Sequence, residues 1–164
     1  RRSSDLVFTP VMRTHEGNRP DTNFQYYEDE DCMGQLARLV DIYTMLAPYM
    51  KTLVKENAEK GIPVQRPLFL HHEEDKRAYA IQYEYLLGRD LLVAPVYLEA
   101  RENWDVYLPE GEWVHLWTGD PYQGGDVNVD APLGYTPAFY LRDSEYAPLF
   151  EEIRRKYGTG AVTD

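Results

Sequence analysis

From Leu36 to Val54, apolar residues recur every three or four positions: Leu36, Leu39, Val40, Tyr43, Leu46, Ala47, Met50, Leu53 and Val54. That period places them on one face of an amphipathic helix. A long helix with a single apolar face cannot bury that face by itself, so this stretch dictates that something must pack on it. Glu28 to Asp31 put negative charge at the start, where the helix dipole is positive. Gly61 stands where a left-handed residue ends a helix, and Pro63 follows. Pro48 inside the pattern predicts a kink or two helices meeting.

The flanks differ in texture. Residues 1 to about 30 are polar and irregular around Leu6-Val7-Phe8, which reads as a short strand or helix end followed by a long loop. From Pro67 onward the spacing predicts short strands at Pro67–Leu70, Tyr83–Leu87, Leu91–Val96, Trp104–Leu108, Trp113–Trp117, Asp126–Val129 and Ala138–Leu141. Breaks are expected at Gly88-Arg89-Asp90, Pro109-Glu110-Gly111, Gly119-Asp120-Pro121 and Gly124-Gly125. Strands at that interval suggest an antiparallel β-sandwich. Asp75 is expected to cap a short helix over Lys76–Ile81, and Ser144 a last helix stopped by Gly158. The reading divides the chain into a loop plus long helix over 1–62, a β domain over 63–158 and a loose tail over 159–164.

Charge and cysteine content exclude some functions. The 164 residues carry 17 Lys and Arg against 28 Asp and Glu, a formal net charge of −11. A surface that neutralises phosphates needs clustered cations, so neither nucleic acid nor an anionic membrane is expected as a partner. The single cysteine, Cys32, allows no internal disulfide, and no zinc-ligand spacing is present. A reducing, cytoplasmic location is therefore expected, with Cys32 a small buried hydrophobe near a helix start. No apolar run is long enough for a membrane span. Arg-Arg-Ser-Ser-Asp at the start is not followed by the apolar core of a signal peptide. A chain without an initial Met is expected to be a piece of something longer.

Four clusters offer chemistry, each with a plain alternative. Arg13-Thr14-His15-Glu16-Gly17-Asn18-Arg19-Pro20 is dense in donors and charges. Imidazole bonds a sugar hydroxyl as donor or acceptor and Arg forks onto an anion, but a solvated loop with Gly17 and Pro20 as turn residues also fits. The acids Glu28, Asp29, Glu30 and Asp31 supply the carboxylates a glycosidase needs, yet helix capping explains consecutive acids more simply. His71-His72 beside Glu73-Glu74-Asp75 invite a metal, but adjacent residues on an extended chain point to opposite faces. Trp104, Tyr107, Trp113, Trp117, Tyr122, Tyr135, Phe139 and Tyr140 form either a sugar-stacking platform or the core of a small β domain. Asp120, Asp126 and Asp130 lack the spacing of a calcium loop. Phosphate-loop and serine-nucleophile motifs are absent.

The segment Phe8-Thr9-Pro10-Val11-Met12-Arg13-Thr14-His15-Glu16-Gly17-Asn18-Arg19-Pro20 resembles family 31 glycoside hydrolases, where an aromatic-Pro stretch leads into Arg-x-His at the end of the last barrel strand. The likeness continues in order through Tyr43–Met50, Pro63–Phe69, Tyr83–Val96 and Trp113–Gly119, and so covers roughly residues 6–155. Arg13–Pro20, Arg66-Pro67-Leu68-Phe69-Leu70-His71 and Tyr85–Asp90 look most like the bacterial sulfoquinovosidases of that family. The resemblance implies an α+β piece: the last strand and helix of a (β/α)8 barrel, then an antiparallel β-sandwich and a short C-terminal helix. It implies part of a retaining α-glycosidase hydrolysing α-glycosides, with α-sulfoquinovosides the expected substrates. It implies no metal or organic cofactor, and a nucleophile and acid/base that both lie upstream of Phe8, so this chain alone is expected to be inactive. Trp117-Thr118-Gly119-Asp120 spells the family's acid/base motif but falls in the β domain, where Asp120 reads as a turn residue. His15 matches a position that touches the sugar, and Arg13 is a second substrate-binding candidate. The expected partners are the upstream barrel and the sugar. A stand-alone carbohydrate-binding or structural β module remains the alternative.

Overall fold

The computed structural model describes residues 5–13, 18–19 and 22–160. The helical pattern forms two helices, α1 (Glu30–Met45) and α2 (Ala47–Lys60). Asp29 caps α1, its carboxylate accepting from the Cys32 N–H at 2.7 Å. Glu30 and Asp31 stand in its first turn, while Glu28 caps the 3-10 turn before it. Leu46 separates the helices, and Pro48 occupies the first turn of α2, where its missing N–H costs nothing. The meeting of two helices expected at Pro48 is what forms. Gly61 closes α2 in the left-handed region, φ 72°, with its N–H on Asn57.

The buried stripe runs Leu39, Ile42, Leu46, Tyr49, Met50 and Leu53. Val40 and Val54, which the periodicity placed on the inner face, sit one position past it and are half exposed. The stripe's partner is the rest of this chain. It packs on Leu87, Leu91, Val93, Val114, Leu116, Trp117, Ala138 and Tyr140, and on Phe150 and Ile153 of a C-terminal helix, α3 (Ala147–Tyr157). Val7 and Phe8 join the same core, which therefore draws on residues from both sides of Gly61.

Six antiparallel strands make one continuous sheet: β1 (Gln65–Arg66), β2 (Tyr85–Leu87), β3 (Leu91–Val93), β4 (Asn103–His115), β5 (Pro121–Asp130) and β6 (Ala138–Leu141), in the order β1-β2-β3-β6-β4-β5. Alternation along the strands sends side chains to two cores. Leu87, Leu91 and Tyr140 face the helices, while Leu86, Leu92 and Phe139 face a second core with Leu68, Val106, Leu108, Trp113 and Val129. The expected antiparallel β domain is thus one six-stranded sheet with a core on each face.

Several expected breaks differ for one reason. Pro109-Glu110-Gly111 and Gly124-Gly125 do not end strands but oppose each other across a bulge in β4–β5. A Cβ on Gly124 would lie 2.8 Å from the Glu110 Cα and the Pro109 carbonyl, so glycine here permits backbone approach rather than a turn. Pro67–Leu70 gives a 3-10 turn at Leu68–Leu70, after the two-residue strand β1. Lys76–Ile81 forms successive turns closed by Ala78 N on Asp75 and Ala80 N on Arg77. Ser144 accepts from the Tyr146 N–H just ahead of α3 rather than capping it, and Gly158 ends the helix as expected. Thr159, assigned to the tail, donates its N–H to Trp117. Leu6–Phe8, read as a short strand or a helix end, is a 3-10 turn with Thr9 N bonded to Leu6. Among the described residues no strand pairs with it, and an unpaired strand leaves its backbone groups unsatisfied.

Gly88 shows how helix and sheet are fitted. It lies in the left-handed region, φ 63°, between β2 and β3, and a Cβ there would fall 2.3 Å from the Tyr49 hydroxyl and 2.6 Å from Leu53. Gly61 has a similar φ but nothing within 4 Å. Gly61→Ala should cost about 1–2 kcal/mol for the backbone alone. Gly88→Ala should cost a further 1–3 kcal/mol or so for overpacking. Urea unfolding of both variants checks this, and equal costs would remove the proposed close approach.

Candidate functional site

The described segments before Arg13 and after Pro20 are each anchored. Upstream, Tyr43 on α1 donates its hydroxyl to the Pro10 carbonyl at 2.8 Å, and Tyr85 on β2 reaches the Phe8 carbonyl at 3.2 Å. Thr9 closes the turn through bonds to the Leu6 and Val11 carbonyls. Downstream, the Gln25 N–H donates to Glu28 in a reciprocal cap at the Tyr26–Glu28 turn, which leads directly into Asp29 and α1. Apolar burial of Val7 and Phe8 thus fixes where the loop departs, and capping chemistry fixes where it returns. Arg13 lies at the departure point and is exposed. His15 lies outside the described residues. Val11, Phe24, Tyr27 and Met33, which flank this loop in sequence, are all strongly exposed.

The other clusters take structural roles. Trp113 and Trp117 are buried, and their indole N–H groups bond the carbonyls of Pro109 and Thr136. Phe139 and Tyr140 are buried with them. These four are core, as an indole with a satisfied N–H inside a β domain would be, while Trp104, Tyr107, Tyr122 and Tyr135 are partly buried and pack against the two cores. Asp120 lies in the tight turn between β4 and β5, where the His115 N–H reaches its carbonyl and Gly119 takes φ 81°. Asp126 pairs with Arg77. Among the described residues no group of three His, Cys, Asp or Glu is placed to hold a metal.

A cleft that sequence reading did not anticipate, about 430 Å³ in volume, opens beside the C-terminal half of α2, lined among others by Glu56, Lys60, Arg66, His71, Arg89 and Asp90. Its acids do not make a general-acid pair. Glu56 is held by Arg66 and Lys60, and the bond from Arg66 pulls its carboxyl below the usual range. Elsewhere burial drives Glu84 up to about 7, but this carboxyl accepts the Tyr107 N–H of β4 and does not line the cleft.

Residues 61–144 match the C-terminal domain of glycosyl hydrolase family 31. The chain belongs to that family. It is 53% identical over 148 residues to a sulfoquinovosidase of Escherichia coli, and 52% identical over 150 residues to one of Agrobacterium fabrum, each match covering 90% of this chain. A family 31 sulfoquinovosidase from E. rectale, solved with an aza-sugar inhibitor, superposes with a TM-score of 0.94 at 69% identity over 95% of this chain. The chain spans only 22% and 23% of the length of the two curated relatives, and 23% of the solved one.

If the buried tryptophans are core, Trp113→Ala should cost about 3–5 kcal/mol, a large part of a domain's usual stability of about 5–15 kcal/mol. Calorimetry should therefore show a sharply lowered Tm. A variant that folds as well as the parent but loses sugar binding would restore the stacking-platform reading.

Proposed function

We propose that this chain is the C-terminal portion of a retaining α-glycosidase acting on α-sulfoquinovosides. The observation that carries the reading is the extent of the likeness: more than half the residues agree with sulfoquinovosidases across nine-tenths of the chain. In this reading residues 1–62 are the end of a (β/α)8 barrel and residues 63–158 are the β domain that supports it. Barrel enzymes place their sites at the C-terminal ends of the strands. The loop anchored by Tyr43 and Tyr85 is the segment such a strand would deliver there.

A retaining enzyme attacks the anomeric carbon with one carboxylate while a second carboxyl protonates the departing oxygen. Both are supplied by the upstream barrel, since the acids described above serve helix caps, ion pairs and turns. The exposed Val11, Phe24, Tyr27 and Met33 fit a face covered by that barrel. His15 is assigned a hydrogen bond to a ring hydroxyl near the reacting carbon, and Arg13 a flanking role toward the sugar. A bond that strengthens as charge develops lowers the barrier rather than only tightening binding. We propose a cytoplasmic location on the single cysteine, Cys32.

The test uses the full-length enzyme with 4-nitrophenyl α-sulfoquinovoside and the matching α-glucoside. The parent should prefer the sulfonated sugar. His15→Ala should lower kcat by roughly 10²-fold, the usual effect of losing one transition-state donor, with a smaller change in KM. Unchanged kinetics would remove His15 from the site, and a preference for the glucoside would overturn the substrate.

A further inference from the structure

Arg66 is 2% exposed, and each of its three guanidinium nitrogens has a partner. Nε donates to the Pro63 carbonyl at 2.7 Å, Nη2 donates to Oε2 of Glu56 on α2, and Nη1 lies 2.8 Å from Nε2 of His71. A guanidinium only donates and keeps its charge throughout the working pH range. Nε2 of His71 must therefore offer a lone pair, so the imidazole is neutral with its proton on Nδ1. A protonated His71 has no lone pair to give and would set a second positive charge against Arg66.

Three elements meet at this guanidinium: the C-terminal half of α2 through Glu56, strand β1 through Arg66 itself, and the Leu68–Leu70 turn through His71, its C-terminal cap. We propose that they form an acid-released clamp, in which protonation of His71 breaks its bond to Arg66, frees the Leu68–His72 segment from α2 and β1, and widens the cleft beside it.

The charges around His71 favour the neutral form. Burial keeps the proton off first, followed by the charges of Arg66, of Arg89 in the β2–β3 turn and of His72, while Glu56 pulls the other way. Lys55, Glu59 and Lys60 of α2, Asp90 beside Arg89, and Glu145 ahead of α3 complete the charged lining of the cleft. Lys55 and Lys60 are engaged with Glu59 and Glu56. The bond from Arg66 holds the Glu56 carboxyl below its usual range. His71 is thus the member of the clamp that switches. Its affinity for protons is lower in the folded chain than the ordinary value of 6.5. Its stabilising contribution is therefore full above that value and is lost as the pH falls through the lowered one. His72 is likewise held neutral, mainly by burial, and is the control.

Hydrogen exchange of the 164-residue chain between pH 7.5 and 5, corrected for intrinsic rates, reads the clamp. Amides of residues 68–72 and 53–60 should lose about tenfold in protection on acidification, while those of β3 and β6 keep theirs. His71→Gln, whose side-chain oxygen can accept from Arg66 without titrating, should hold protection across the range. His72→Gln should behave as the parent. A parent with pH-independent protection, or the same loss in His71→Gln, would overturn the proposal. Nitrogen-15 NMR of the unmodified chain gives a check that needs no variant: near pH 7.5 the His71 proton should sit on Nδ1, and a proton on Nε2 would contradict the clamp.

Discussion

The fold depends on one contact, the stripe of α1 and α2 pressed on the helix-facing side of the sheet. Each fully buried side chain of this size stabilises by about 1.5–3 kcal/mol, and six lie in the stripe alone. Tyr49 gives the contact its register. Its ring packs between Tyr146 and Phe150, and its hydroxyl donates to the Leu87 carbonyl at 2.6 Å and accepts the Asp90 N–H. Burial holds that hydroxyl protonated, its pKa pushed well above the usual value. One phenol thus ties α2 to the β2–β3 turn, and Gly88 is the residue that lets the turn come close enough.

Local chemistry explains which elements were readable. The acidic start at Glu28–Asp31, the end at Gly61 and the stop at Gly158 rest on short-range rules and fall where those rules put them, while the two helices expected to meet at Pro48 part at Leu46. What depended on distant partners was read less well. Ile42 and Tyr49 complete the buried stripe because the sheet lies on their side, while Val40 and Val54 are turned away. Gly111 and Gly124 looked like strand ends because glycine usually is, and only the pairing of β4 with β5 shows them facing each other across a bulge. The number of sheets was also hidden, because one sheet with both faces covered and two stacked sheets share the same alternation.

The candidate site divides along the same line. Trp113 and Trp117 as core, the acid run as a helix cap and Asp120 as a turn residue could be reasoned from residue type and spacing. The anchoring of the Arg13–Pro20 loop by Tyr43 and Tyr85 could not, since those hydroxyls reach back 33 and 77 residues. The Arg66 clamp was invisible for the same reason: Glu56, Arg66 and His71 belong to three elements, and the sequence pattern joins none of them. The described part of the molecule is thus a well-packed support on which Val11, Phe24 and Tyr27 stay exposed.

That account makes a claim about chemistry: the chain contains the support and the edge of a sugar site but not the carboxylate pair that cleaves the glycosidic bond. The most direct measurement is turnover of 4-nitrophenyl α-sulfoquinovoside by the purified 164-residue chain, after mass spectrometry has verified that no other polypeptide is in the sample. The account predicts a rate equal to that of buffer at every pH tried. Turnover that saturates with substrate and scales with chain concentration would contradict it, and would place a nucleophile and a general acid among residues assigned here to caps, ion pairs and turns.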